Sequence, residues 1–194
     1  TYRISLNAEE IPAYGAVQYT VSERERFTEW EEEYGGIENE YYKLGVEKGR
    51  ITLYNKETGR KTENFIKFEE TGDSGNIYVY QPEGEAINDE TESIKTTSRR
   101  MSKSIEAETR IKVPARYDRE RKKRSEEEVT IRIRYGVTLR KKSRTLEINY
   151  EIENEAEDQR IRIVVDGGIS EEVMTVDTAF DSLEVRGDEL CALA

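Results

Sequence analysis

Residues 37–85, IENEYYKLGVEKGRITLYNKETGRKTENFIKFEETGDSGNIYVYQPEGE, decide how this chain folds. Apolar and polar residues alternate through most of the stretch, which is the signature of half-buried β-strands. Tyr42, Leu44 and Val46 precede Gly49, and Ile51 and Leu53 follow it. The pair predicts a hairpin closed by Glu47-Lys48-Gly49-Arg50, with glycine supplying a positive φ. Asn55 to Gly59 marks the next turn. Gly72 to Tyr78, GDSGNIY, reads as a loop, and Ile77 and Val79 then alternate with Tyr78 and Tyr80 before Pro82.

The same period extends outward. Val17, Tyr19 and Val21 alternate after a turn at Pro12 to Gly15, and Thr1–Leu6 also reads as a strand. In the second half, three runs carry alternate apolar positions: Ile105–Val113, Val129–Leu139 and Leu146–Ile152. A shorter run at Ile161–Val165 follows. Each strand thus has one apolar and one wet face, the antiparallel pattern, and apolar faces of this length must meet another sheet. One segment departs from it. Ser22 to Glu25 has capping-box spacing, and Phe27, Trp30 and Tyr34 fall near one helical face. Either a short helix ending at Gly35-Gly36 or a polar connection fits there. Asp118 to Glu128 has no apolar residue and reads as the solvated tip between two long strands.

Composition sets bounds on function. The chain has 194 residues, 35% hydrophobic and 38% charged, with 12 tyrosines. That length serves one ordinary domain, expected to span residues 1–194, and buries roughly 70% of the surface its unfolded chain exposes. The net charge of −11 argues against a nucleic-acid partner, which calls for a basic surface. Residues 95–144 do hold 18 Lys/Arg against 7 Asp/Glu, but these fall at wet strand positions and at the tip. There is no apolar run long enough to span a membrane and no signal-peptide pattern. Cys191 is the single cysteine, so no internal disulfide forms, which fits a reducing, cytoplasmic location. Thr1 stands where a chain start would carry Met, and Leu190–Ala194 ends in mid-pattern; both point to a piece of a longer multidomain protein.

Several pieces, in order, resemble the β-sandwich region of glycoside hydrolase family 38, the zinc α-mannosidases, nearest the bacterial members. They are Ile11-Pro12-Ala13-Tyr14-Gly15 with Tyr19, Glu38-Asn39-Glu40-Tyr41-Tyr42, and Lys56-Glu57-Thr58-Gly59-Arg60. Gly72 to Tyr78, Val113-Pro114-Ala115, the Arg119 to Ser125 tip, Val137-Thr138-Leu139 and Asn154 to Arg162 continue the series. The resemblance implies an all-β, antiparallel β-supersandwich (galactose-mutarotase-like) with at most one short helix. It implies a retaining α-mannosidase as parent, acting on terminal α-mannosyl residues, with this region scaffolding the catalytic domain of the same polypeptide. The zinc and the nucleophile of such enzymes belong to that catalytic domain.

The residues agree that chemistry lies elsewhere. Retaining glycoside hydrolysis needs two carboxyl groups about 5 Å apart, and with 42 Asp/Glu carboxylates alone discriminate nothing. A catalytic zinc takes His, Cys or carboxylate ligands, and this chain has no histidine and one cysteine. No catalytic residue, metal ligand or cofactor is therefore assigned to it. By resemblance, the tyrosine of the GDSGNIY loop, Tyr78, reaches toward the mannoside, with Asp73 beside it and Arg186 on a later segment approaching the same cleft. Where family members often carry Asp-His-Arg, this chain has Asp158-Gln159-Arg160. Two alternatives stay open. One is a free-standing carbohydrate-binding module using Tyr41, Tyr42, Tyr78 and Tyr80; the other is a structural β domain without sugar chemistry. Homo-oligomer formation through an unpaired edge strand also stays open.

Overall fold

A computed structural model describes residues 11–20, 30–32, 36–99, 101–168, 173–177 and 180–186. In chain order the strands are β1 (Trp30–Glu32), β2 (Ile37–Glu38), β3 (Tyr42–Glu47), β4 (Arg50–Asn55), β5 (Lys61–Thr62), β6 (Ile66–Asp73), β7 (Pro82–Asn88) and β8 (Glu90–Ser98). They continue as β9 (Ser102–Pro114), β10 (Tyr117–Asp118), β11 (Lys123–Arg124), β12 (Glu128–Arg140), β13 (Leu146–Glu153), β14 (Gln159–Val165), β15 (Val173–Asp177) and β16 (Ser182–Arg186). Every ladder is antiparallel, and the described residues contain no helix.

The long alternating runs build one layer, a five-stranded sheet ordered β1-β8-β9-β12-β13. Its spine is the β9–β12 ladder, unbroken from Ser102 opposite Arg140 to Pro114 opposite Glu128. Alternation puts Ile105, Ala107, Ile111 and Val113 of β9 on one face with Ile131, Ile133, Tyr135, Val137 and Leu139 of β12, and all are buried. The opposing layer is made of two smaller sheets, β2-β3-β4-β5 and β14-β6-β7. They contribute Ile37, Leu44, Ile51, Leu53, Ile66 and Phe68 to the same core. Full burial of each such side chain stabilises the fold by about 1.5–3 kcal/mol. The β3–β4 hairpin turns on Lys48 (φ 51°) and Gly49 (φ 72°), both left-handed, as a two-residue type I′ turn demands.

Three expectations are corrected. Trp30–Glu32 is not helical: it pairs with Thr96–Ser98 as the outer strand β1, because the open edge of β8 offers its backbone hydrogen-bond partners while a short isolated helix is marginal in water. The rest of the segment read as either a short helix or a polar connection (residues 22–29 and 33–35), Val21, the strand at Thr1–Leu6 and Cys191 lie outside the described residues. Val17 and Tyr19 are exposed and belong to no strand, although the turn at Pro12–Gly15 forms, with Gly15 N–H donating to the Pro12 carbonyl at 3.0 Å. Ile77–Tyr80 is a loop, not a strand.

Candidate functional site

The loop that replaces that strand, residues 74–81, joins β6 to β7 at one end of the sandwich. Its side chains and amides close it on itself. Asp73 Oδ1 accepts from Gly75 N–H at 2.8 Å and Gln81 N–H at 3.0 Å, and Ser74 N–H donates to the Gln81 carbonyl at 2.9 Å. Asn76 Oδ1 accepts from Tyr78 N–H (2.9 Å) and Val79 N–H (3.2 Å). Amides spent on Asp and Asn side chains are lost to a ladder, which is why an alternating sequence here makes no strand. Gly75 is required: a Cβ there would overlap the Val79 carbonyl oxygen. At the foot, Tyr80 OH meets Thr71 Oγ1 at 2.7 Å, and the Arg160 guanidinium lies over the Tyr80 ring, 4.7 Å from its centroid. What remains outward is the tip, with Ile77 90%, Tyr78 85% and Val79 60% exposed.

A second element supports this loop. The hairpin β10–β11 folds off the end of the β9–β12 ladder and lays Arg124 across β6. There its guanidinium grips both oxygens of Glu70 at 3.1 and 2.5 Å. Glu70 occupies a position that alternation assigns to the core and is 0% exposed. Burial pushes its carboxyl above the usual carboxylate range, against the pull of Arg124. Gly72 makes the crossing feasible, since a Cβ there would sit 2.8 Å from Arg124 Cδ and Nε. From the same hairpin Arg119 reaches the Gly75 carbonyl with both terminal nitrogens at 3.3 Å and Asp158 Oδ1 at 3.2 Å.

Asp158 precedes β14 in a left-handed conformation (φ 52°) that aspartate tolerates better than most residues. Its carbonyl accepts from Asp73 N–H at 2.8 Å and its Oδ2 from Tyr117 N–H at 3.4 Å. Gln159, where the resembled family often has histidine, donates from Nε2 to Asn154 Oδ1 at 2.8 Å. Position 159 therefore serves the foot of β14.

The other polar clusters are structural. Asp89, buried between β7 and β8, accepts from Arg50 Nη1 at 2.6 Å and Phe68 N–H at 2.9 Å, and lies 2.6 Å from the Thr109 hydroxyl. A buried carboxylate with this many donors is satisfied and unavailable. The shallow groove on the outer face of the large sheet is lined by charges already engaged. Lys95 meets Glu106 at 3.0 Å, and Arg134 bridges Glu151 and Glu153 at 3.1 and 2.7 Å. Among the described residues no group of three or more His, Cys, Asp or Glu is placed to hold a metal ion.

Asp73 and Tyr78 thus share one loop, with Asp73 spent on closing it and Tyr78 presented by it. Arg186 ends β16, opposite Val173 on the separate β15–β16 hairpin; its side chain lies outside the described residues. Of the four tyrosines considered for an aromatic platform, only Tyr78 is exposed. Tyr42 packs against the core, Tyr41 lies under Arg144 at 4.7 Å, and Tyr80 lies under Arg160. The sequence placed Asp158 only in Asp158-Gln159-Arg160 and Arg119 and Arg124 only in the polar tip, and pointed to no role at the site for these three or for Glu70. The one signal was a glutamate at an inward position of β6.

Residues 37–188 match the family described as "Glycosyl hydrolases family 38 C-terminal domain". A curated protein of Halalkalibacterium halodurans named "Putative mannosylglycerate hydrolase" is 26% identical over 146 residues, covering 65% of this chain and 16% of that protein. Two solved structures from Enterococcus faecalis share the fold. One, titled a protein in glycosyl hydrolase family 38, has a TM-score of 0.67 at 23% identity over 79% of this chain and 21% of its own. The other, titled an alpha-mannosidase from strain V583, has a TM-score of 0.66 at 23% identity over 78% of this chain and 19% of its own. The chain spans about a fifth or less of each of these relatives.

Proposed function

Because this chain belongs to the glycosyl hydrolase family 38 C-terminal domains, we propose that it is the non-catalytic β-sandwich of an enzyme hydrolysing terminal α-mannosyl residues. In this reading it packs against the catalytic domain of the same polypeptide and lends the loop 74–81 to one wall of the mannoside site. The residues do not fit the family's zinc: with no histidine in the chain and no ligand cluster among the described residues, the metal would be held by the catalytic domain. The observation that carries the proposal is the tip itself. A loop tied down by its own side chains holds Ile77, Tyr78 and Val79 out in water, where an apolar cluster costs free energy unless something covers it. A phenol suits a sugar, since its ring packs on C–H surfaces and its hydroxyl bonds sugar oxygens.

The test is made in the full-length protein that carries this domain. Tyr78→Phe removes one hydrogen bond and is expected to lower kcat/KM for an α-mannoside about two- to tenfold. Tyr78→Ala, which also removes the ring, is expected to lower it further. Values within about twofold of wild type for both variants would sink the reading. Titration of the 194-residue chain with mannose or mannan separates it from a free-standing binding module, which would show saturable heat.

A further inference from the structure

The loop's internal hydrogen bonds fix its shape but not its attitude. They tie residue 73 to residues 75 and 81 and residue 76 to residues 78 and 79, all within the loop or at its feet. Tyr80 is held at the foot by Thr71 and Arg160, but the tip beyond it can still lift about the feet, and lifting it opens the amide bonds of residues 75, 78 and 79. Beyond its feet, the described residues of other elements supply one hydrogen-bond donor, the guanidinium of Arg119 on Gly75 O.

We propose that Arg119 is a positioning residue: from the β10–β11 hairpin it props the loop and sets how Tyr78 is presented. The prop is anchored at both ends. Arg124 of the same hairpin is locked to Glu70 in the core, so the hairpin is braced against β6, the strand from which the loop springs. Asp158 then joins the three parts. Its carbonyl holds the loop's first foot through Asp73 N–H, its Oδ1 takes Arg119, and its Oδ2 takes Tyr117 N–H. Arg119 is 59% exposed, so its bridge adds little to global stability. Its effect falls on the loop, whose competent population it raises. Since apparent affinity scales with that population, losing the prop raises KM and leaves kcat unchanged.

The inference rests on the Tyr78 reading for its kinetic arm and on nothing but the geometry for its exchange arm. In the full-length protein, Arg119→Ala is expected to speed amide exchange of Gly75, Tyr78 and Val79 about two- to tenfold, with β9 and β12 protection unchanged as proof of folding. KM for an α-mannoside is expected to rise about threefold with kcat within about twofold. Arg119→Lys, which reaches one acceptor at a time, is expected to fall between wild type and alanine on both measures. Asp158→Asn keeps the left-handed backbone and removes the charged partner; its effect on exchange is expected to be less than additive with Arg119→Ala. Unchanged exchange at residues 75–79 in Arg119→Ala overturns the prop. Faster exchange with unchanged KM upholds the prop and overturns the placement of Tyr78 at the sugar.

Discussion

Glu70 is a charge where alternation calls for a hydrophobe, and it persists because Arg124 follows it into the interior. Burial disfavours its ionised form and the bidentate contact favours it, with burial the larger effect. Removing the arginine alone strands the carboxyl: Arg124→Ala is expected to cost about 3–5 kcal/mol in denaturant unfolding, while Glu70→Leu with Arg124→Met costs far less. A single-variant loss under about 0.5 kcal/mol would show that the pair does not brace the hairpin. Tyr135 gives a pH test. It is buried against Phe68, ring centroids 5.1 Å apart, and burial, with the Asp89 charge nearby, pushes its phenol from 10.0 up to about 12. A raised acid keeps its proton longer when folded, so the folded chain binds more protons across this window and stability falls as pH rises from 10 to about 12. The loss is on the order of 2–3 kcal/mol, and Tyr135→Phe is expected to remove it. Parallel denaturation series of the two proteins check this; identical alkaline slopes would contradict it.

Strands were legible in proportion to their alternation. Val129–Leu139 presents Ile131, Ile133, Tyr135, Val137 and Leu139 inward without a break, and β12 follows it to within a residue at each end. The β3–β4 hairpin was legible because its turn chemistry is local. β7 and β8 were not, since Pro82–Ser98 offers only Ala86, Ile87 and Ile94 as apolar residues; these strands form because β6 and β9 present open ladders to them. β1, open between a short helix and a polar connection in the sequence, became a strand for the same reason, a tertiary partner overriding a local pattern. The loop shows the opposite failure. Ile77–Tyr80 alternates as well as any strand, but the Asn76 side chain captures the amides of Tyr78 and Val79 first. The site was legible only at Asp73 and Tyr78, through the GDSGNIY wording. Arg119 lies 44 residues from Gly75 and 39 from Asp158, and no local pattern announces a contact across that span.

At the scale of the molecule, the two layers enclose one hydrophobic core that draws on β2 to β4, β6 to β9 and β12 to β14. In the function proposed above, this unit scaffolds and does not catalyse. The 194-residue chain supplied with zinc is expected to turn over no α-mannoside above a protein-free control, and measurable release would overturn the division of labour proposed above. β6 is flanked on one side by β7, next in the chain, and on the other by β14, with Gln159 opposite Gly72 and Val165 opposite Ile66. As the polypeptide leaves the ribosome, β6 must wait with that flank unoccupied until residue 165 has emerged. Lys67 and Glu69, which in the finished fold lie 3.4 Å apart with Arg162 2.7 Å from Glu69, are charged guards on that waiting strand and discourage a neighbouring nascent chain from taking the place.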